Sequence, residues 1–372
     1  MENYLGKDIP KLGFGLMRLP MLDGEIDIEQ TKKMTDLFLE HGYTYFDTSY
    51  VYSNGKSEEA AKKALVDRHP RESFQLADKL SAWAVSTAEE ARQMLWTSLK
   101  RTGSDYFDFY LLHNLGDKRT KYFDEFGIWD FLSEQKEKGF IRHLGLSIHD
   151  KASVLDELLT NHPEMEFVQL QINYADWENP MTESKKCYET ALKHKKPVII
   201  MEPVRGGSLS APPPEVVSLM KKANPEASIT SWAIRFAASL DNIITVLSGM
   251  SDLDQMRDNL ASIDNFKILD SREQIIIAEA QKILASFPEI PCTACNYCLR
   301  ECPEDIHIPL IFRAMNRNTV YGTLNKARSN YLWALENGAK GSSCAACGRC
   351  EAICPQHIHI IDELKKAVAL LE

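Results

Sequence analysis

The chain has 372 residues, ordinary apolar and charged content for a soluble globular protein, and a formal net charge of -10. The acidic balance and the lack of a basic cluster speak against a nucleic-acid footprint. No apolar run reaches membrane-spanning length, and the opening MENYLGKDIP lacks the apolar segment of a leader, so a cytoplasmic protein without a membrane partner is expected.

In chain order, β-like runs alternate with helical periods from Gly13 to about Ile263. After a strand within Lys11–Leu19, the runs are Tyr43–Thr48, Phe74–Lys79, Phe107–His113, Ile141–Ser147, Phe167–Asn173, Val198–Pro203 and Ile243–Leu247. Their Val, Ile, Phe and Tyr content suits strands buried on both faces. The first helix is predicted from near Asp27 to a stop at Gly42. Others are predicted over 57–68, 87–101, 123–138, 152–159, 183–194 and 227–239. This is the length and rhythm of an α/β (β/α)8 TIM barrel. A doubly wound sheet is the alternative, but no strand–GxGxxG–helix turn appears.

A helix over Ser271–Ala285 then leads through the stiff connector Phe287–Pro291 into a cysteine-rich region. The expected organisation is a barrel over 1–270, a helix and linker over 271–291, and a small, mainly helical domain over 292–372. Eight of the nine cysteines fall there in two copies of C-x2-C-x2-C-x3-C-P: Cys292, Cys295, Cys298 and Cys302 before Pro303, then Cys344, Cys347, Cys350 and Cys354 before Pro355. In two-cluster ferredoxins the fourth cysteine of each run serves the other cluster. That assigns Cys292, Cys295, Cys298 and Cys354 to one [4Fe–4S] cluster, and Cys344, Cys347, Cys350 and Cys302 to the second. Zinc is the alternative for four thiolates, but its sites rarely carry this extension twice. The long helical spacer between the runs resembles the α-helical ferredoxin domains of fumarate reductase-type iron–sulfur subunits. Cys187 lies outside the pattern and reads as a buried structural thiol. His307, His357 and His359 follow the motifs and read as packing or solvent-facing residues.

Three polar residues close successive strands, where the mouth of a barrel carries its active site. Asp47 ends YTYFDTS, Lys79 ends FQLADKL and His113 ends FDFYLLH, and Tyr52 follows Asp47 on the next loop. With FDTSYVYSNGKSEEAAKKAL, HLGLSIHD, VQLQINY and VLSGMSDLDQMRDNL, these residues resemble the aldo-keto reductase superfamily over about the first 265 positions.

The resemblance implies Tyr52 as general acid toward a carbonyl oxygen. Lys79 would lower its pKa, Asp47 would hold Lys79, and His113 would orient the substrate. It also implies nicotinamide contacts from Ser147, Gln169 and Met201, a pyrophosphate loop at Gly206 and Ser208, and adenosine contacts from Ser248, Gly249, Gln255 and Asn259. The usual Asn after the Ser is replaced by Ile148, and Met201 stands where an aromatic commonly stacks. In the loop after strand eight and the start of the next helix only Arg257 is basic, so NADP, NAD and a flavin all stay open as cofactor beside the two clusters.

The implied substrate is a small carbonyl or alcohol compound. Tyr50, Trp83 and Trp177 are candidates for its pocket. A monomer or simple homo-oligomer is expected. A hydride carries two electrons and a cluster takes one, so three readings stay open. The first is an oxidoreductase whose clusters relay electrons, with a ferredoxin-like partner. The second is a carbonyl reductase with structural or oxygen-sensing clusters. The third is a non-catalytic redox sensor or electron-transfer protein.

Overall fold

The eight apolar runs form eight parallel strands: β1 Leu12–Gly15, β2 Tyr45–Asp47, β3 Gln75–Leu80, β4 Phe107–Leu115, β5 Ile141–Ile148, β6 Phe167–Gln171, β7 Val198–Met201 and β8 Ile243–Ser248. In the computed structural model, which describes residue 5 and residues 8–180, 182–264 and 266–372, each strand pairs with its sequence neighbours and β1 pairs with β8. The sheet is therefore a closed barrel, and closure rules out the doubly wound alternative. Its interior is filled by Tyr45, Ala77, Phe109, Leu111, Phe167, Ile199, Ile244 and Leu247. β5 and β6 approach so closely that a Cβ on Gly145 would sit 2.6 Å from the Phe167 carbonyl oxygen.

Local chemistry explains the helix limits. Asp27 caps helix Ile28–Glu40 by accepting from the Gln30 N–H. Thr87 and Glu90 form a capping box on helix Ala88–Thr102. The single helix expected over 123–138 is instead two, Thr120–Glu125 and Ile128–Glu137, because Gly127 takes a left-handed conformation between them (φ 62°). The helix expected over 57–68 begins as Lys56–Ala61 and widens into a π turn at Lys62–Val66. Helix Pro214–Ala223 was absent from the expected elements.

The chain divides into two units. One comprises Met1–Pro203 with Thr230–Leu269 and holds the barrel; the other comprises Val204–Ile229 with Asp270–Glu372. The second unit is mainly helical. Its cysteine region carries helices Tyr297–Glu301, Ile308–Tyr321, Leu324–Leu335, Arg349–Ile353 and Ile360–Leu371. Its core joins Cys298 and Cys350 to Ile306, Ile308, Ile358 and Ile360. No helix among the described residues is long and apolar enough to cross a membrane.

Candidate functional site

Parallel strands of a barrel all end on one rim. Asp47, Lys79, His113, Ser147, Gln169, Met201 and Ser248 each lie at or near the C-terminal end of a different strand, β2 to β8 in turn. Asp47, Lys79 and His113 are buried. Lys79 Nζ donates to Asp47 Oδ1 at 2.5 Å and to the Thr48 carbonyl at 2.7 Å. The Tyr52 ring lies over this ammonium, 4.9 Å from Nζ to the ring centroid, and packs edge-on to His113 at 5.8 Å. The four residues named from sequence thus meet at one place.

Their protonation states follow from burial. The Asp47 carboxyl is pushed up by desolvation, and the Lys79 charge opposes that shift. His113 is held well below the usual imidazole value, first by burial and then by the charges of Lys79, His149 and Arg119. It is a neutral ring. Its Nδ1 lies 2.7 Å from Ser81 Oγ and 3.0 Å from Ser49 Oγ.

Tyr52 is shifted in the direction opposite to the one expected for it. The phenol is pushed well up, first by burial and next by the Asp47 carboxylate; Arg18 opposes this. Tyr52 therefore rests as a protonated phenol.

Gln169 is buried, its Nε2 contacts Met201 Sδ at 3.5 Å, and its Oε1 has no partner. An orphaned amide oxygen at a barrel rim is a fit for a carboxamide N–H of a nicotinamide. Ser147 Oγ accepts the Asn114 N–H at 2.8 Å. Ser248 Oγ accepts from Asn259 Nδ2 at 2.7 Å. Gln255 turns its amide onto its own loop, accepting from the Ser251 N–H and donating to Asp252. Arg257 pairs with Asp254 at 3.0 Å.

The cation near the β8 loop is instead Arg18. Its Cβ lies 3.5 Å from where a Gly249 Cβ would stand, and its guanidinium pairs with Glu202 at 3.0 Å. Sequence reasoning missed Arg18, Ser49 and Ser81. The two serines had a readable signal: each lies two residues beyond a predicted strand-end residue, Asp47 or Lys79.

Of the pocket aromatics, Trp83 donates its indole N–H to the His113 carbonyl at 2.9 Å. Tyr50 lies under the Arg101 guanidinium, and Trp177 packs on Tyr188 and Phe236. Gly206 and Gly207 take left-handed conformations (φ 63° and 96°) in the second unit, and Ser208 Oγ bonds the Arg205 carbonyl at 2.9 Å.

The two cysteine runs share more than spacing. Left-handed residues recur at equal offsets: Ala294, Asn296 and Asp305 in the first run, Ala346, Gly348 and His357 in the second. The charge neighbours of the Cys298 thiol are Cys295, Cys292 and Cys354, then Cys350; burial, the largest cause, pushes this thiol up. Burial also pushes Cys350 up to about 11, and its thiol neighbours are Cys302 and Cys344. Each run's fourth cysteine thus neighbours the other run. Among the described residues, no three His, Cys, Asp or Glu side chains converge as ligands of a single metal ion. A cubane differs, because each of its thiolates reaches a separate iron. Cys187 is buried, its thiol pushed up to about 12, and it donates to the Asp150 carbonyl.

Residues 11–280 match the model of the aldo/keto reductase family, and residues 291–360 match that of a 4Fe-4S dicluster domain. An aldo-keto reductase of Mycobacterium sp. (strain MCS) is 32% identical over 145 residues, which is 38% of this chain and 45% of that protein; the match spans less than half its length. The rat aldo-keto reductase family 1 member C21 is 23% identical over 325 residues, covering 77% of this chain and 95% of that one. An aldo-keto reductase from Klebsiella pneumoniae in complex with NADPH has the same fold, with a TM-score of 0.58 at 20% identity over 74% of this chain and 91% of that chain.

Proposed function

This chain belongs to the aldo/keto reductase family, and on that premise we propose that it interconverts a small carbonyl compound and its alcohol, with Tyr52 as the general acid. The observation that carries this reading is the convergence of Asp47, Tyr52, Lys79 and His113 at one barrel rim. A nicotinamide cofactor would supply the hydride, its carboxamide held at Gln169 and Ser147. The Klebsiella complex supports NADP, and Arg18 is a candidate for a phosphate contact.

Tyr52 donates its proton to the substrate oxygen. The phenolate left behind is stabilised by the Lys79 ammonium, whose position Asp47 and the Thr48 carbonyl hold. Neutral His113 orients the same oxygen. Burial of the set strengthens each of these interactions.

The cysteine-rich unit would hold two [4Fe–4S] clusters in the crossed arrangement, which would supply one-electron capacity to or from the barrel site and a ferredoxin-like partner. A second reading has one observation behind it: Cys298 and Cys350 are part of the unit's apolar core. Clusters so placed could simply brace the fold. Anaerobic addition of NADPH or NADH to the holoprotein separates the two. Bleaching of the visible cluster absorbance supports the relay; unchanged absorbance alongside active carbonyl reduction supports bracing. Absence of any carbonyl reduction or alcohol oxidation with either nicotinamide across a broad substrate panel would sink the enzyme reading itself.

A further inference from the structure

A cleft of about 680 Å³ opens within the second unit. That volume is in the range of small-molecule sites. Its floor is one face of helix Ile308–Tyr321, which brings Arg313 and Arg317 into the cleft one turn apart. Trp333 borders it, half-exposed, with the Arg313 guanidinium 5.7 Å from its ring centroid. The opposing walls are the Arg205–Ser210 loop and the loop that begins at Cys292. These two loops meet backbone to backbone, since a Cβ on Gly206 would fall 2.5 Å from the Thr293 carbonyl oxygen.

The charge in the cleft is uneven. Glu289 is its one acidic side chain among the described lining residues, and Arg205 faces it at 3.6 Å. Arg313 and Arg317 therefore leave the cleft cationic. Paired guanidiniums favour a phosphate, and an exposed indole offers a face for a planar ring. Cys292 places the assigned first cluster's loop in the same wall.

A hydride donor and a one-electron acceptor need a carrier that takes electrons in pairs and releases them singly. Isoalloxazines do this, and quinones do too, but a quinone has no anionic group for the two arginines. We propose that this cleft binds flavin mononucleotide, with its phosphate on Arg313 and Arg317 and its ring beside Trp333 and the Cys292 loop. The choice of ligand rests on the electron-relay reading; the site itself rests on the cleft.

The test is titration of the holoprotein with flavin mononucleotide, read by quenching of flavin fluorescence and by equilibrium dialysis. Binding of about one flavin per chain is expected, with the charge reversal Arg313→Glu plus Arg317→Glu weakening it by at least about tenfold. Riboflavin, which lacks the phosphate, should bind weakly and equally to both proteins. Trp333→Ala should weaken both ligands while leaving the iron content unchanged. Saturating NADPH should not displace the flavin. No binding, binding indifferent to the charge reversal, or displacement by NADPH would each overturn the proposal. Charge-dependent binding without electron exchange between photoreduced flavin and the clusters would uphold the site and sink the relay.

Discussion

Ser81 Oγ lies 2.7 Å from His113 Nδ1, and Ser49 Oγ reaches the same nitrogen at 3.0 Å. The ring is buried and neutral. When a serine O–H donates a hydrogen bond to Nδ1, the neutral imidazole carries its own proton on Nε2, where it can donate to a substrate oxygen. Ser81 is thus a positioning residue that acts through His113. Ser81→Ala is expected to lower kcat by about tenfold, the scale of one lost hydrogen bond in a transition state, with KM nearly unchanged. Equal kcat in the variant would remove Ser81 from the account.

The pH profile follows from the two shifted groups. His113 is depressed, so it stays neutral below the ordinary imidazole value of about 6.5. Tyr52 is raised, so it stays protonated above the ordinary phenol value of about 10. Carbonyl reduction at saturating cofactor should therefore be flat from about pH 6 to about pH 10. A limb near neutrality would show that one of these groups titrates after all.

Behind Lys79 lies a buried carboxyl pair. Asp78 and Glu58 are both fully buried, and Arg101 reaches Glu58 at 2.9 Å. Asp78 Oδ1 accepts the Lys79 N–H at 2.7 Å. Asp78 Oδ2 and Glu58 Oε1 each lack a donor, and a proton shared between the two acids would serve both. Burial, then the Glu58 charge, raises Asp78 well above the carboxyl range. A raised carboxyl contributes stability that is complete below the unfolded value of about 3.9 and lost as pH rises through the folded value. Asp78→Asn keeps the acceptor for Lys79 and removes the titration. Its Tm should fall less than the parent's between about pH 5 and about pH 9. Parallel Tm curves would refute the shared proton.

Gln169 offers a separate test of cofactor fit. Its buried Oε1 is unpartnered, so Gln169→Leu removes an unsatisfied acceptor and should leave Tm unchanged or raised. The same change should raise the KM for the nicotinamide by about tenfold, the scale of one good hydrogen bond to the ligand. An unchanged KM would place the carboxamide elsewhere.

The crossed cysteine pairing predicts which cluster each serine variant damages. Cys354→Ser should disturb the cluster of Cys292, Cys295 and Cys298, although it lies in the other run. Cys302→Ser should disturb the cluster of Cys344, Cys347 and Cys350. Each variant should retain about four of about eight irons per chain. Magnetic spectra of the reduced variants would identify the survivor, and loss of the cluster in the variant's own run would reverse the assignment.

Barrel, strand order and the strand-end places of Asp47, Lys79 and His113 were legible in the sequence because buried parallel strands are continuous apolar runs, and their ends fall at fixed points in the β/α rhythm; the role of Tyr52 came from the family resemblance alone. The doubled cysteine spacing was legible for the same reason, since it is a local pattern. What sequence could not show was tertiary. Arg18 reaches the β8 loop from the far end of the barrel's strand sequence, and burial with the Asp47 carboxylate beside it raises the Tyr52 phenol. The break at Gly127 was missed because helical periodicity continues across it. The glycine loop at Gly206 falls in the second unit, although its sequence position follows a barrel strand.

The most direct measurement is the steady-state kinetics of Tyr52→Phe, with nicotinamide binding followed in parallel. Loss of kcat by at least about a hundredfold, the lower range for a general acid, with the cofactor dissociation constant unchanged, is the result expected. A variant that reduces the same carbonyl with kcat within twofold of the parent, about 0.4 kcal/mol in barrier, would contradict Tyr52 as the proton donor.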